Sequence, residues 1–303
     1  MPVLDKKGYR ISIAYWVGNL GNHLIQMSGA LNVAEKTQSS LTVPEHPLLK
    51  RRSFDFTDRA NDNCGEPIVG RFFSKSDCFQ FPVSYDSDRR RLFRTYLHDL
   101  LLERTVRQRL GDLLHRRAAE QVRPGTLVIN MRSGRDIFRS DPPPQNDYMQ
   151  PPLSFYKHVI TAHGYTDCLI VTEADRENPC IDALLAWNAD IRIKKHRGVR
   201  DDLTTILSAR HLVLCHSTFS WCLALMSRNL QTLFQPATFQ IRGVGDLSVY
   251  TYSFDNFIKP GEWRASAEQL EQMVSHSVDD IKVLHEPRAA TGEARELVPS
   301  NFW

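Results

Sequence analysis

Apolar residues in this chain alternate between two spacings. Short apolar runs mark strands, and longer stretches with apolar residues at helical spacing mark helices. Arg10 to Val17 reads as a strand, and after a Gly-Asn-Leu-Gly-Asn turn a helix is expected over about His23 to Glu35. Leu41 to Val43 reads as a second strand. Pro44 to Asp88 is polar and weakly patterned, and is expected to form loops with short strands. Arg89 to Gln121 is predicted helical, with Leu92, Phe93, Tyr96, Leu97, Leu100 and Leu101 on one apolar face.

Arg123-Pro124-Gly125 breaks the pattern and marks a candidate domain boundary. Beyond it, strands are expected at Leu127 to Met131, Cys168 to Thr172, Ile191 to Lys194, Leu212 to Cys215 and Thr232 to Phe234. Helices are expected over Pro152 to His163, Pro179 to Trp187, Asp202 to Ala209 and Phe219 to Leu230. Such alternation predicts an α/β fold with a parallel sheet wound by right-handed crossovers. Ligands of such sheets bind beyond the carboxyl ends of the strands. No internal repeat is evident.

The 303 residues are 42% hydrophobic and 24% charged with a net charge of +3, the values of a soluble globular chain. So small a charge gives no argument for nucleic acid or membrane binding. No apolar stretch is long enough to cross a bilayer, and no signal peptide is evident. Cys64, Cys78, Cys168, Cys180, Cys215 and Cys222 form no Cys-x-x-Cys pair. They read as reduced thiols in a cytoplasmic protein, with a disulfide at Cys64 and Cys78 as the alternative.

Three loops after predicted strands carry the candidate chemistry. The first is Gly18-Asn19-Leu20-Gly21-Asn22-His23, where two glycines permit a tight turn and close backbone approach. It lacks the Lys-Ser/Thr pair of a P-loop and the Gly-x-Gly-x-x-Gly spacing. The second is Asn130-Met131-Arg132-Ser133-Gly134-Arg135-Asp136. Arg132 leaves the sheet at its carboxyl edge, where a guanidinium can grip a diphosphate, or can form an ordinary surface ion pair. Asp136 could accept a proton, orient Arg135 or cap a turn. The third is Ser217-Thr218-Phe219, at the junction of a strand and a helix, a place for anions. Glu173 could reach a ribose or base edge. Asp202 adds a polar group nearby, and Asp201 and Asp202 also read as a helix N-cap. Asp86-Ser87-Asp88 matches the Asp-x-Asp of metal-dependent transferases, but here it precedes a helix and reads as its cap and dipole partner. No zinc spacing stands out, and Pro142 to Pro144 and Pro151-Pro152 either line a cleft or close the fold.

In this order the three motifs resemble those of glycosyltransferase family 11, the α-1,2-fucosyltransferases. Gly-Asn-Leu-Gly-Asn-His-Leu-Ile-Gln resembles the family's opening Gly-Leu-Gly-Asn-Gln-Leu-Phe-Gln. Asn-Met-Arg-Ser-Gly-Arg-Asp is similar to His-x-Arg-Arg-Gly-Asp, and Ser-Thr-Phe-Ser-Trp matches Ser-Thr-Phe-Ser-Trp-Trp over five residues. Asn130 stands for the family's His, Ser133 for its second Arg, His23 for its Gln and Cys222 for its second Trp. The resemblance implies a GT-B-like fold of two Rossmann-like halves, with residues 1–122 on the acceptor side, 123–285 binding the nucleotide sugar, and 286–303 as a polar tail. It implies GDP-fucose as donor, a glycan acceptor, inversion, and no metal or cofactor. Arg132 and Asp136 are then the catalytic candidates. Gly18, Asn19, Gly21, Asn22, His23, Asn130, Ser133, Glu173, Asp202, Ser217, Thr218 and Phe219 are the binding candidates. Asp136, Glu173 and His23 are candidate bases. A transferase for rhamnose, xylose or galactose, or a silent nucleotide- or glycan-binding protein, are the alternatives.

Overall fold

The computed structural model describes residues 9–49, 51–57, 67–70, 86–98, 101, 122–141, 144–145, 147–195, 198–242 and 244–287. Its first sheet has four strands: β1 (Arg10–Ile13), β2 (Ser40–Thr42), β3 (Ser53–Asp55) and β4 (Pro67–Gly70), in the order β3-β2-β1-β4. β1 pairs in parallel with β2 and β4, and β3 runs antiparallel to β2. The expected first strand was longer. It ends at Ile13 because Gln26, fully buried on helix α1 (Leu20–Lys36), takes over the next backbone groups. Its Nε2 donates to the Tyr15 carbonyl at 3.1 Å and its Oε1 accepts from the Val17 amide at 3.0 Å.

Helix α2 (Asp86–Leu92) runs into a π-helical turn at Phe93–Leu97. Asp86 and Asp88 thus lie in the first turn of this helix, within it rather than ahead of it. Much of the remainder of the long helix expected to Gln121, with Cys64, Cys78 and the tail beyond 287, lies outside the described residues.

The second sheet contains β5 (Leu127–Met131), β6 (Cys168–Thr172), β7 (Ile191–Ile193), β8 (His211–Val213), β9 (Thr232–Pro236), β10 (Ser248–Phe254) and β11 (Ile281–His285). Their order is β11-β10-β9-β8-β5-β6-β7, parallel throughout except for β11, which pairs antiparallel with β10 at the edge. Counted from β5, the six parallel strands follow the order 3-2-1-4-5-6 of a doubly wound nucleotide-binding sheet. The winding direction reverses between β5 and β8. Helices α3 (Arg135–Phe138), α4 (Leu153–Ala162), α5 (Pro179–Trp187), α6 (Val199–Ser208), α7 (Thr218–Met226) and α8 (Ala267–Ser275) complete the fold. α3, α8, β10 and β11 were not anticipated.

Every residue of β5 and of β6 is buried, as covered parallel strands require. Alternate residues serve two cores. Leu127, Ile129 and Met131 face α4, α5 and α8, whereas Val128 faces the layer holding α1, α6 and α7. That second core continues without a break into Ile11 and Leu41 of the first sheet. Two α/β sheets therefore lean on one shared layer of helices.

The joint within that layer is backbone against backbone. A Cβ placed on Gly21 of α1 would lie 2.4 Å from the Phe219 nitrogen and 2.6 Å from the Thr218 carbonyl carbon of α7. Neither atom can retreat without shifting a helix. The Gly21 carbonyl also accepts a contact from Cys222 Sγ at 3.5 Å, a place where a Trp would not fit so close an approach. Gly21→Ala is expected to destabilise the fold by about 1–3 kcal/mol through overpacking. A lowered urea midpoint with unchanged slope checks this, and an unchanged midpoint would contradict the close approach.

Candidate functional site

Helices α1 and α7 meet at their N-termini. Asn19 and Ser217 stand at the two N-cap positions, yet neither side chain caps its helix. Neither set of first-turn amides is thus satisfied by its own N-cap side chain, and the two helix dipoles present their positive ends together. Asn22 Oδ1 accepts from Thr218 Oγ1 at 3.0 Å and ties one N-terminus to the other. Gly18, at φ +71°, turns the chain into α1, and a Cβ there would strike Asn22 Nδ2 at 2.3 Å. Phe219 is half-buried against the shared core.

His23 sits beside this turn with both ring nitrogens engaged. Its Nδ1 lies 3.0 Å from His46 Nε2, and its Nε2 lies 2.8 Å from the Gly18 carbonyl. The Leu48 amide donates to His46 Nδ1 at 3.1 Å. That bond sets every tautomer: His46 donates from Nε2 to His23, and His23 donates from Nε2 to Gly18. Both rings are neutral. Trp16 packs against both, with ring centroids 5.2 Å from each. Burial holds the His23 pKa below its ordinary value, opposed by the Gly18 carbonyl. His23 is thus committed to a hydrogen-bond chain, which removes it as a ready general base.

β5 and β8 are neighbours, so the Arg132 loop and the Ser217-Thr218 turn leave the sheet side by side at its switch point. Arg132 donates to Glu173 Oε1 through Nη1 and to Asp136 Oδ2 through Nη2, the latter at 2.8 Å. Burial works against the guanidinium charge, but Glu173 and Asp136 outweigh it and raise the pKa. The second Glu173 oxygen accepts the Ser133 amide at 2.5 Å. Glu173 was expected to reach a ribose or base. Instead both its oxygens hold the Arg132 loop in place. Arg135, which Asp136 was one candidate to orient, pairs with Glu177 at 3.4 Å.

Ser133 is fully buried, and its Oγ accepts from the Asn178 amide at 3.0 Å. Asn178 Nδ2 donates to the Arg132 carbonyl at 2.9 Å while its Oδ1 caps α5. Ser133 thus braces the loop from inside instead of lining an open site. Asn130 is also turned inward. Its Nδ2 reaches the Val171 carbonyl at 3.3 Å and its Oδ1 accepts from Cys215 Sγ at 2.9 Å. Burial pushes the Cys215 thiol up to about 12, and Cys168, Cys180 and Cys222 are likewise buried thiols.

Asp202 lies in the first turn of α6, whose N-cap is Gly198, so neither Asp201 nor Asp202 is the cap. Both carboxylates pair with buried Lys194, Asp202 at 2.8 Å. A lysine taken out of water needs such partners, and this ties the end of β7 to α6. Asp202 is spent on that pair.

The structure adds groups that sequence spacing did not suggest. Among the described residues, Thr172 Oγ1, Gln150 Oε1 and His216 Nδ1 are buried without a hydrogen-bond partner. All three are on segments at the carboxyl edge of the sheet. Gln150 Nε2 bonds the His216 carbonyl at 3.2 Å, and His216 stacks on Phe239 at 4.7 Å. The segment after the prolines therefore closes over the end of β8. Buried polar atoms without partners gather where a ligand completes the set. Among the described residues no cluster of metal-binding side chains occurs, and no helix is long and apolar enough to cross a membrane.

No family model matches the chain, and no curated protein matches its sequence. Among solved structures it is similar to POFUT1 in complex with GDP, at 11% identity and a TM-score of 0.45, covering 77% of this chain and 99% of that one. It is also similar to POFUT1 in complex with GDP-fucose, at 10% identity and a TM-score of 0.44, covering 77% and 99%. A third is the E. coli heptosyltransferase WaaC with ADP-2-deoxy-2-fluoro heptose, at 10% identity and a TM-score of 0.39, covering 87% and 98%. The resemblance to family 11 rests on the motifs alone.

The histidine chain predicts an acid-sensitive fold. A folded-state pKa below the unfolded value of about 6.5 means that the unfolded chain binds the extra proton. Stability from His23 is then complete above about pH 6.5 and is lost as pH falls through the lower folded value. Burial lowers His158, His163, His211 and His216 in the same direction. The unfolding free energy from urea titrations is expected to drop between pH 7.5 and 5, by at most ~1.4 kcal/mol per pH unit for each histidine within its window, and the midpoint with it. His23→Gln should flatten this dependence, and a wild-type midpoint that does not change with pH would contradict it.

Proposed function

We propose that this protein is a glycosyltransferase that binds a nucleotide-diphosphate sugar at the switch point of its second sheet and passes the sugar to a hydroxyl acceptor. GDP-fucose is the proposed donor, a glycan the acceptor, inversion the stereochemical course, and no metal is required. The observation that carries this reading is the meeting of two uncapped helix N-termini beside Arg132, on adjacent strands at the reversal of a doubly wound sheet.

Cleavage of the glycosidic bond builds negative charge on the departing diphosphate. Amides and a cation already aimed there stabilise the transition state more than the ground state. The α7 and α1 amides would hold the phosphates, with Thr218 and Asn22 at the helix joint. Arg132 would meet the leaving oxygen. In the structure its charge is balanced by Glu173 and Asp136, whose roles differ. Glu173 also holds the Ser133 amide, so it stays as the positioning group. The Asp136 side chain is 57% exposed and can leave when a diphosphate takes its place on Nη2. Asp136 is then a free carboxylate next to the acceptor, suited to take the hydroxyl proton. Residues 1–122 would supply the acceptor wall and 123–285 the donor wall.

Nucleotides screened by thermal shift test the donor. Saturating GDP at about one hundred times its Kd should add about 2.7 kcal/mol of stability, with no dependence on EDTA. A shift from UDP and none from GDP would sink the fucosyl assignment. GDP binding without turnover over a broad acceptor panel would favour a silent binding protein. Arg132→Ala is expected to cut turnover about 10²- to 10³-fold while the fold persists, and near-normal kcat would remove Arg132 from the mechanism.

A further inference from the structure

A second cluster of arginines lies away from the carboxyl-edge site. Ser87, Arg90, Arg91 and Arg94, from α2 and its π-helical turn, line an open cavity of about 250 Å³ with Val244, Gly245 and Asp246. Arg94 places it in the fold: its Nε and Nη2 donate to the Ser227 carbonyl, at the C-terminal cap of α7. The nine residues of α7 put this end roughly 13 Å from Thr218.

The charges in the cavity are incompletely matched. Arg91 is held by both oxygens of Glu35, at 2.9 and 2.5 Å. Arg90 and Arg94 share a single oxygen of Asp246, at 3.0 and 3.3 Å. Asp246 is 62% exposed, whereas the Arg90 side chain is 5% exposed. Among the described residues, the buried Arg90 Nε and Nη1 have no hydrogen-bond partner. A guanidinium removed from water normally satisfies its donors. Burial first, then repulsion from Arg94, pushes the Arg90 pKa below its ordinary value despite Asp246.

We propose that this cavity is a binding site for a doubly charged tetrahedral oxyanion, a phosphoryl group, separate from the switch-point site. One carboxylate oxygen divided between two guanidiniums is a weak tie on an exposed side chain. A phosphoryl group offers three oxygens, enough to meet Arg90, Arg94 and the Ser87 hydroxyl together. Its entry releases Asp246 to solvent and gives Arg90 Nη2 and Arg94 Nη1, which now share one oxygen, an oxygen each.

Binding of inorganic phosphate to the full chain, at constant ionic strength with chloride as control, tests the site by thermal shift and calorimetry. Saturable binding is expected in the wild type and in Arg132→Ala. Asp246→Asn, which removes the competing charge at an exposed position, should tighten binding several-fold. Arg94→Gln should abolish it. A hexose monophosphate in solution, compared with phosphatidate in neutral vesicles, assigns the phosphoryl group to a soluble ester or a lipid headgroup, and either carries the proposal. Absence of saturable phosphate binding, its loss in Arg132→Ala, or an Asp246→Asn variant no tighter than wild type would overturn it.

Discussion

The structure depends on how closely α1 can approach α7. Gly21 supplies the missing side chain at the contact, and Thr218 and Asn22 close it with a hydrogen bond. The approach joins the cores of the two sheets, because α1 carries Leu24 and Met27 from one side and α7 carries Leu223 and Leu225 from the other. It also brings two helix N-termini together with their amides uncapped. Fold and candidate site therefore share one constraint: a side chain at Gly21 would disturb the shared core and the corner where the two N-termini meet.

The second constraint is the bracing of the Arg132 loop. Asn178 and Glu173 fix the Arg132 carbonyl and the Ser133 amide, and the buried Ser133 hydroxyl holds the Asn178 amide, so that one cation is held at the sheet edge. A cation used to stabilise developing charge works best when it does not reorganise during the reaction. Of the two carboxylates on Arg132, one is built into this brace and the other is largely exposed. Asp136 can therefore leave Arg132 without disturbing the brace, while Glu173 keeps the geometry.

Local pattern was enough for the centre of the second sheet. β5, β6 and α5 begin and end where their apolar runs and the Asn178-Pro179 start dictate. Arg132 and the Ser217-Thr218 turn were also legible, because charged and hydroxyl residues stood at the ends of buried strands. β1 was overread because Gln26 binds the segment after it, a tertiary contact with no periodic signature. β11 was missed as an edge strand whose residues are mostly exposed, Val283 and Leu284 among them. The partners that Glu173, Ser133 and Asp202 take were not legible for one reason. These partners lie in other loops: Arg132 and Glu173 are 41 residues apart in the chain, and only the parallel register of β5 with β6 makes them neighbours.

The imidazole chain from Leu48 through His46 and His23 to Gly18 has a direction. Each ring passes on a donor because it has received one, so no ring can reverse alone. The backbone amide of residue 48 and the carbonyl of residue 18 are in effect two ends of one polarised wire. Whatever reorients the segment at Leu48 is felt, by that sequence of bonds, at the glycine that opens the first helix.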